Sequence, residues 1–290
     1  TDMAPATVQR YETSLKHTRD FVWETYHKKD VLLDEVSRQF IEDYEFWLKT
    51  EKKCCHNTAT KYLKNFKKII RIALAKGWMK NDPFLEIRFS LDKVEPDFLE
   101  DSEIQKLISK EIDIPRLSQV RDIFVFCCFT GLAFSDIHGL RKEHIVEDSN
   151  GVRWIRKGRQ KTKIMCNIPL MEIPLKILEK YSTNEYCKKH GVLFPVLCNQ
   201  KMNAYLKELA DICGIKKTLT THVARHTFAT FALANGVSIE SVAKMLGHAN
   251  VQMTRHYARV LDRTVIREMS QIKMDFHFPF NKDDSSVIVE

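Results

Sequence analysis

The sequence predicts a mainly α protein in two domains, with one small antiparallel β element in the second. Three observations carry that prediction. Apolar residues recur at helical spacing along most of the chain, with Ser, Thr or Asn before the runs and Gly after them. A polar, proline-bearing stretch at 92–96 interrupts the helical pattern. The period turns from helical to alternating only in "VRWIRKGRQKTKIMCNIPL". A chain of 290 residues is long for one core and fits two.

The first domain spans 1–95. In "TVQRYETSLKHTRDFVWETY", Val8, Tyr11, Leu15, Phe21 and Val22 fall at helical spacing. "LDEVSRQFIEDYEFWLKT" puts Val36, Phe40, Tyr44, Trp47 and Leu48 on one stripe. "NTATKYLKNFKKIIRIALAKGWM" opens on Asn57 and Thr58 as expected caps and stops at Gly77. Asp82-Pro83 then ends the helical run. The second domain spans 96–290, its first helix starting at Asp101 or Ser102. Helix continues through Leu140. A hairpin follows, with its turn at Lys157-Gly158 and Ile164, Cys166 and Ile168 alternating beyond it. Helices are expected at 172–181, 199–214, 221–235, 239–246, 253–257 and 263–273. The tail after residue 275 has no pattern, and no internal repeat is visible.

Composition narrows the function classes. Hydrophobic residues make up 44% of the chain, which supplies a core. The eight cysteines lack the CxxC spacing of a zinc site and read as reduced thiols of a cytoplasmic protein. No metal or cofactor is expected. The first twenty residues carry no secretory signal, and the apolar run 123–134 is too short to span a bilayer, so no membrane partner is expected. The chain begins at Thr1, which reads as a fragment of a longer polypeptide. Net charge is +8, and its distribution says more than its size. Between Lys49 and Lys80 there are ten lysines and arginines against the single acid Glu51. Lys61, Lys64, Lys68 and Arg71 lie opposite an apolar stripe and are expected to run along phosphates; a solvated helix face is the bland alternative.

The residues fit for chemistry lie near the C-terminus. "TTHVARHTFATFALANG" sets His222 and Arg225 three apart near a helix start, where anions bind readily. In "GVSIESVAKMLGHANVQMTRHYARV", Ser238 caps a short helix that stops at Gly247, His248 follows on the turn, and Tyr257 comes nine residues later. Alone, this stretch also fits a helix-turn-helix, a DNA-binding module without catalysis. Tyr257 alone reads as a phenol packed under a short helix.

The order of the motifs is more specific. "FTGLAFSDI", a lysine on a hairpin, "ARHTFAT" and "LGHANVQMTRHYARV" follow one another as in the tyrosine recombinases, the phage integrase family, which this chain resembles over nearly its whole length. "NTATKYLKNFKKIIRIALAKGWMKNDPF" is similar to the helical core-binding domain of that family, particularly in integrases of Bacteroides-type mobile elements. The resemblance implies a SAM-like core-binding domain and a catalytic domain of the DNA breaking-rejoining fold, closing as a C-shaped clamp on duplex DNA. It implies Tyr257 as nucleophile, Arg225, His222 and His248 around the phosphate, and a hairpin lysine that protonates the leaving oxygen, best matched by Lys161 and next by Lys163. His226 and His256 read as supporting polar residues, and Arg255 and Arg259 as phosphate or partner contacts.

One position departs from the family. Ala133 stands where an arginine usually follows "TGL". Either the chain is a catalytically impaired DNA binder, or another cation fills the gap. Arg159, two residues before Lys161 and so on the same strand face, is the expected substitute, with Arg141 and Arg156 behind it. Asp136 is expected to orient Arg225. The resemblance further implies a homotetramer on DNA, a monomer when free, a host DNA-bending factor, docking of the chain beyond Val260 on a neighbour, and a cytoplasmic, nucleoid-associated place of work without metal or ATP.

Overall fold

The structure is a computed structural model and describes residues 3–258. The helix expected at 263–273, Arg259 and the docking segment beyond Val260 lie outside the described residues. The chain divides into two compact units, 1–95 and 96–290.

The first unit packs three helices, α1 (Pro5–Tyr26), α2 (Arg38–Thr50) and α3 (His56–Ala75). Their apolar stripes meet in an aromatic core in which Phe21, Phe40, Tyr44 and Trp47 are all buried. Phe21 sits 5.1 Å from Phe40, edge to face, a geometry that adds to area burial. Leu15, on the helical pattern of α1, is half exposed instead. Asn57 and Thr58 do not cap α3: the helix already begins at His56, with Cys55 at the cap. The Asn57 side chain instead exchanges two hydrogen bonds with the Asp92 backbone, at 2.8 and 3.0 Å. It ties the end of this unit back onto the start of α3.

The second unit is built on α5 (Pro115–Thr130), whose residues are buried on nearly every side. That explains most of the apolar run 123–134: through Thr130 it is a central helix, flanked by α4 (Asp101–Ser109), α7 (Glu172–Tyr181), α9 (Asn199–Ile212) and α10 (Thr221–Ala234). α5 itself carries one buried acid, Asp122. It is satisfied by the Tyr181 hydroxyl at 3.0 Å, Lys180 at 2.6 Å and Arg121 at 3.0 Å, as a buried carboxylate must be. This unit also holds two short helices, α6 (Phe134–His138) and α8 (Glu185–His190). α8 was not expected; six residues are too few for a period, and its signal is the Asn184 cap.

The β element is larger than a hairpin. β1 (Ile145–Glu147), β2 (Arg153–Gly158) and β3 (Met165–Pro169) form a three-stranded antiparallel sheet in that order. Ile155 pairs with both Ile145 and Ile168, and the buried side chains Ile155, Cys166 and Ile168 face the core. The turn is not at Lys157-Gly158. β2 runs on through Gly158, and the loop is 159–164, closed by Arg159 N to Ile164 O at 2.9 Å and Lys163 N to Arg159 O at 2.8 Å. Lys163 takes the left-handed conformation that closes it, at φ 61°. The last described elements are α11 (Ile239–Leu246) and α12 (Gln252–Ala258), packed on α10. Among the described residues no helix is long and apolar enough to cross a membrane.

Candidate active site

α10 carries three of the site residues. Thr220 caps it by accepting from Val223 N, and His222, Arg225 and His226 follow within its first turns. Arg225 is 3% exposed. Its guanidinium donates to Gly131 O at 2.6 Å, to Leu246 O at 2.6 Å and to His248 Nε2 at 3.1 Å. A guanidinium has five N–H donors, so donors remain for a further acceptor. Both carbonyls are helix ends freed by glycines. Gly131 ends α5 at φ +66° and Gly247 ends α11 at φ +60°, a backbone region open to glycine. The TGL and LGH motifs therefore supply the two carbonyls that aim Arg225.

His248, directly after the α11 stop, has both ring nitrogens committed. Nε2 accepts from Arg225, and Nδ1 lies 2.8 Å from Thr254 Oγ1 on α12. An imidazole that accepts at Nε2 carries its hydrogen on Nδ1, so Thr254 is the acceptor. Thr254 is fully buried, a positioning residue that the sequence reading passed over. In this arrangement His248 receives a hydrogen bond from Arg225 and presents no free N–H from Nε2.

Tyr257 projects from α12 onto α10, 7% exposed. Its ring joins Phe228, Leu233, Val242 and Leu246 in an apolar cluster. Its hydroxyl does not vanish into that cluster: Oη lies 3.0 Å from His226 Nδ1. The His226 ring in turn meets His222 edge-on, with centroids 4.3 Å apart. His226, expected as a supporting polar residue, thus contacts the phenol directly. The signal in the sequence was its place four residues after His222, on the same helix face.

The hairpin loop brings in the remaining cations. Arg159 has an 11% exposed side chain, and its Nε lies 3.5 Å from Asp136 Oδ2. Neither of these two atoms finds a hydrogen-bond partner among the described residues. Arg159 and Lys161 do not share the expected strand face, because both lie in the loop past the end of β2. What directs Arg159 inward is a close approach to Gly247: a Cβ there would stand 2.7 Å from Arg159 Cδ. Asp136 does not make the expected contact with Arg225. One oxygen accepts from Gln160 N at 2.8 Å and the other faces Arg159, so Asp136 pins the loop. Ala133 caps α6 and carries no donor. Lys161 and Lys163 are exposed.

The electrostatics follow from this crowding. Burial, then repulsion from Arg159, lowers Arg225 to about 10, still charged at neutral pH. Burial lowers His222, helped by Arg225, Arg159 and Lys161, so the Lys161 charge reaches His222. Burial and the same arginines bring His248 to about 4. His226 is also lowered to about 4, by burial and by His222, Arg225 and His256. Burial raises Tyr257, against the pull of Arg225 and Arg159. Among the arginines weighed for the gap at Ala133, Arg159 bears on His222, Arg225, His248 and Tyr257. Arg156 instead bears on Asp148, and Arg141 on His144 and Lys157. Two guanidiniums close enough to repel one another, beside neutral imidazoles and a phenol, make a site suited to an anion.

In the first unit, Lys61, Lys64, Lys68 and Arg71 are exposed on one face of α3, opposite the buried Leu63, Ile70 and Ala73. No acid pairs with them among the described residues. Lys49 and Lys52, from the same basic stretch, do pair: Lys49 with Glu45 at 2.6 Å, Lys52 with Asp20 at 3.4 Å and Glu24 at 3.5 Å. The uncompensated charge is thus concentrated on α3.

Comparison with known proteins gives one answer. The phage integrase family matches residues 97–264, and the phage integrase SAM-like domain matches residues 1–94. A tyrosine recombinase of Pseudothermotoga lettingae is 30% identical over 244 residues, covering 81% of this chain and 82% of its own. The tyrosine recombinase XerD of Shewanella oneidensis is 24% identical, covering 91% and 89%. Among solved structures, a lambda integrase (75–356) dimer bound to a COC′ core site superposes with TM-score 0.71 at 18% identity, covering 88% of this chain and 89% of that one. The Tn1549 transposon integrase in complex with a circular intermediate DNA superposes with TM-score 0.70 at 18% identity, covering 93% and 95%. These findings do not favour the helix-turn-helix alternative. The chain belongs to the phage integrase family, the tyrosine-type site-specific DNA recombinases.

Proposed function

We propose that this chain cleaves and rejoins double-stranded DNA through a 3′-phosphotyrosine on Tyr257. The Tyr257 oxygen attacks a phosphodiester in line, the bond from phosphorus to the 5′-oxygen breaks, and the released 5′-hydroxyl or that of another strand reverses the step. The phosphodiester's energy stays in the covalent link, so the cycle needs no ATP. The observation that carries this reading is the gathering of Arg225, Arg159 and three histidines around a buried phenol from α10, the hairpin loop, the α11 stop and α12. Arg225 and Arg159 serve the non-bridging oxygens as charge builds on them. His222 supports the same phosphate, and His248 holds Arg225 in register. Lys161, flexible and exposed, protonates the leaving 5′-oxygen.

Arg159 takes the place of the arginine absent at Ala133. The Asp136–Arg159 contact and the Gly247 approach support this, because they fix a guanidinium whose Nε has no hydrogen-bond partner among the described residues. That favours an active enzyme over an impaired binder. Lys61, Lys64, Lys68 and Arg71 of 1–95 lie along the DNA backbone, and 96–290 carries the chemistry. We place the working assembly as a tetramer of a chain that is monomeric when free, with a host DNA-bending factor, at the nucleoid.

The test is a nicked suicide duplex carrying the recombination site, resolved on a denaturing gel. The unmodified chain is expected to leave a covalent adduct, and Tyr257→Phe none, with DNA binding retained. Binding without an adduct in the unmodified chain would identify an impaired binder.

A further inference from the structure

The roles above leave the nucleophile's own proton unassigned, and the described residues give its hydroxyl one hydrogen-bond partner, His226 Nδ1 at 3.0 Å. We propose that His226 holds the Tyr257 hydroxyl and takes its proton as the bond to phosphorus forms. This rests on the reading of Tyr257 as the nucleophile.

Geometry comes first. His226 is on α10, one turn after His222 and one residue after Arg225, and faces Tyr257 of α12. Its ring is wedged between the His222 ring, 4.3 Å away, and the Tyr257 ring, 5.3 Å away. A hydroxyl donating to Nδ1 requires the hydrogen of the neutral ring to sit on Nε2. The cations and burial around His226 keep the ring neutral, so the accepting lone pair stays free. The other candidate bases are engaged elsewhere or face another atom. His248 accepts from Arg225 and donates to Thr254. Lys161 belongs to the leaving-oxygen side.

The step balances without a further reactant. As the Oη–P bond forms, the Oη proton passes to His226 Nδ1; as the P–O5′ bond breaks, the 5′-oxygen takes a proton from Lys161. Rejoining runs the same transfers backwards: the incoming 5′-hydroxyl gives its proton to Lys161, and the departing Tyr257 oxygen recovers its own from His226. An imidazolium beside Arg225 and His222 is costly unless an anion stands among them. The base therefore works only when a DNA phosphate occupies the site, and the free chain keeps its phenol protonated and held.

The experiment measures the initial cleavage rate on the nicked suicide duplex together with DNA affinity. His226→Ala is expected to lower the rate about 100-fold or more, the usual scale for a lost general base, at unchanged affinity. A substrate with sulfur in place of the bridging 5′-oxygen, which departs without a proton, is expected to restore Lys161→Ala but not His226→Ala. Placing the more acidic 3,5-difluorotyrosine at position 257 is expected to shrink the His226→Ala deficit. A wild-type rate in His226→Ala, rescue of it by the sulfur substrate (which would put His226 on the leaving-oxygen side), or a deficit untouched by the acidic phenol each overturns the proposal. Should His226→Ala fail to fold, His226→Asn, which keeps a short acceptor, takes the same comparisons. If the unmodified chain forms no adduct, the reading of Tyr257 falls and this proposal falls with it; the three outcomes above overturn this proposal alone.

Discussion

Arg159 and Gly247 are coupled residue against residue. The glycine has φ +60°, where an L side chain is strained, and its missing Cβ is the space through which Arg159 passes. Gly247→Ala should therefore cost about 1–3 kcal/mol of stability through backbone strain and displacement, visible in denaturant unfolding. It should also lower cleavage, because Arg159 is pushed from its place. Arg159→Ala should lower the cleavage rate about 100-fold or more, the scale of about 3 kcal/mol for one transition-state donor, with little change in affinity. A normal rate in Arg159→Ala would return the gap at Ala133 to Arg141 or Arg156. Ala133 was legible as a gap because the motif around it is otherwise intact. The direction of Arg159 was not legible, because strand parity between Arg159 and Lys161 needs a strand there, and β2 ends at Gly158. Asp136 was misread for a similar reason: nothing in the motif tells which of two nearby cations a carboxylate will hold.

At the scale of elements, α10, α11 and α12 pack together, and burial there holds the His226 and His248 imidazoles neutral. His226 and His248 are each lowered to about 4 from an ordinary value of 6.5. A group depressed on folding binds its proton more readily in the unfolded chain, so acid favours unfolding. Their contribution is present above about 6.5 and is lost as pH falls toward 4. The thermal midpoint should drop across that window, with a shallower slope in His248→Asn. A midpoint flat between pH 7 and 4 would contradict this account of the site. These helices were legible from period and caps: Ser238 and Gly247 stand where the structure uses them. The third strand was not, because a three-residue strand has no period to read. On α3, four exposed cations predict a salt-dependent footprint. Lys64→Ala with Lys68→Ala should flatten the slope of log affinity against log salt by about 0.9 per lysine lost from a phosphate, measured by filter binding or anisotropy.

At the scale of the whole molecule, each unit has its own core, aromatic in 1–95 and centred on α5 in 96–290. The segment between them has no regular structure from Phe89 to Glu100, and Asn57 and His56 hold it to α3 as far as Asp92. The first exposed basic residue past that tether is Lys93. Brief trypsin treatment should therefore cut at Lys93 and release two folded pieces, identified by mass and circular dichroism. The central claim is that these scattered residues aim the Tyr257 oxygen at phosphorus. Its most direct test is mass-spectrometric mapping of the peptide that stays bound to DNA after trapping on a suicide duplex. The account predicts a phosphodiester-linked nucleotide on Tyr257 of the peptide His256–Arg259 and no linkage in Tyr257→Phe; DNA linked through another side chain, or an adduct that survives the substitution, would contradict it.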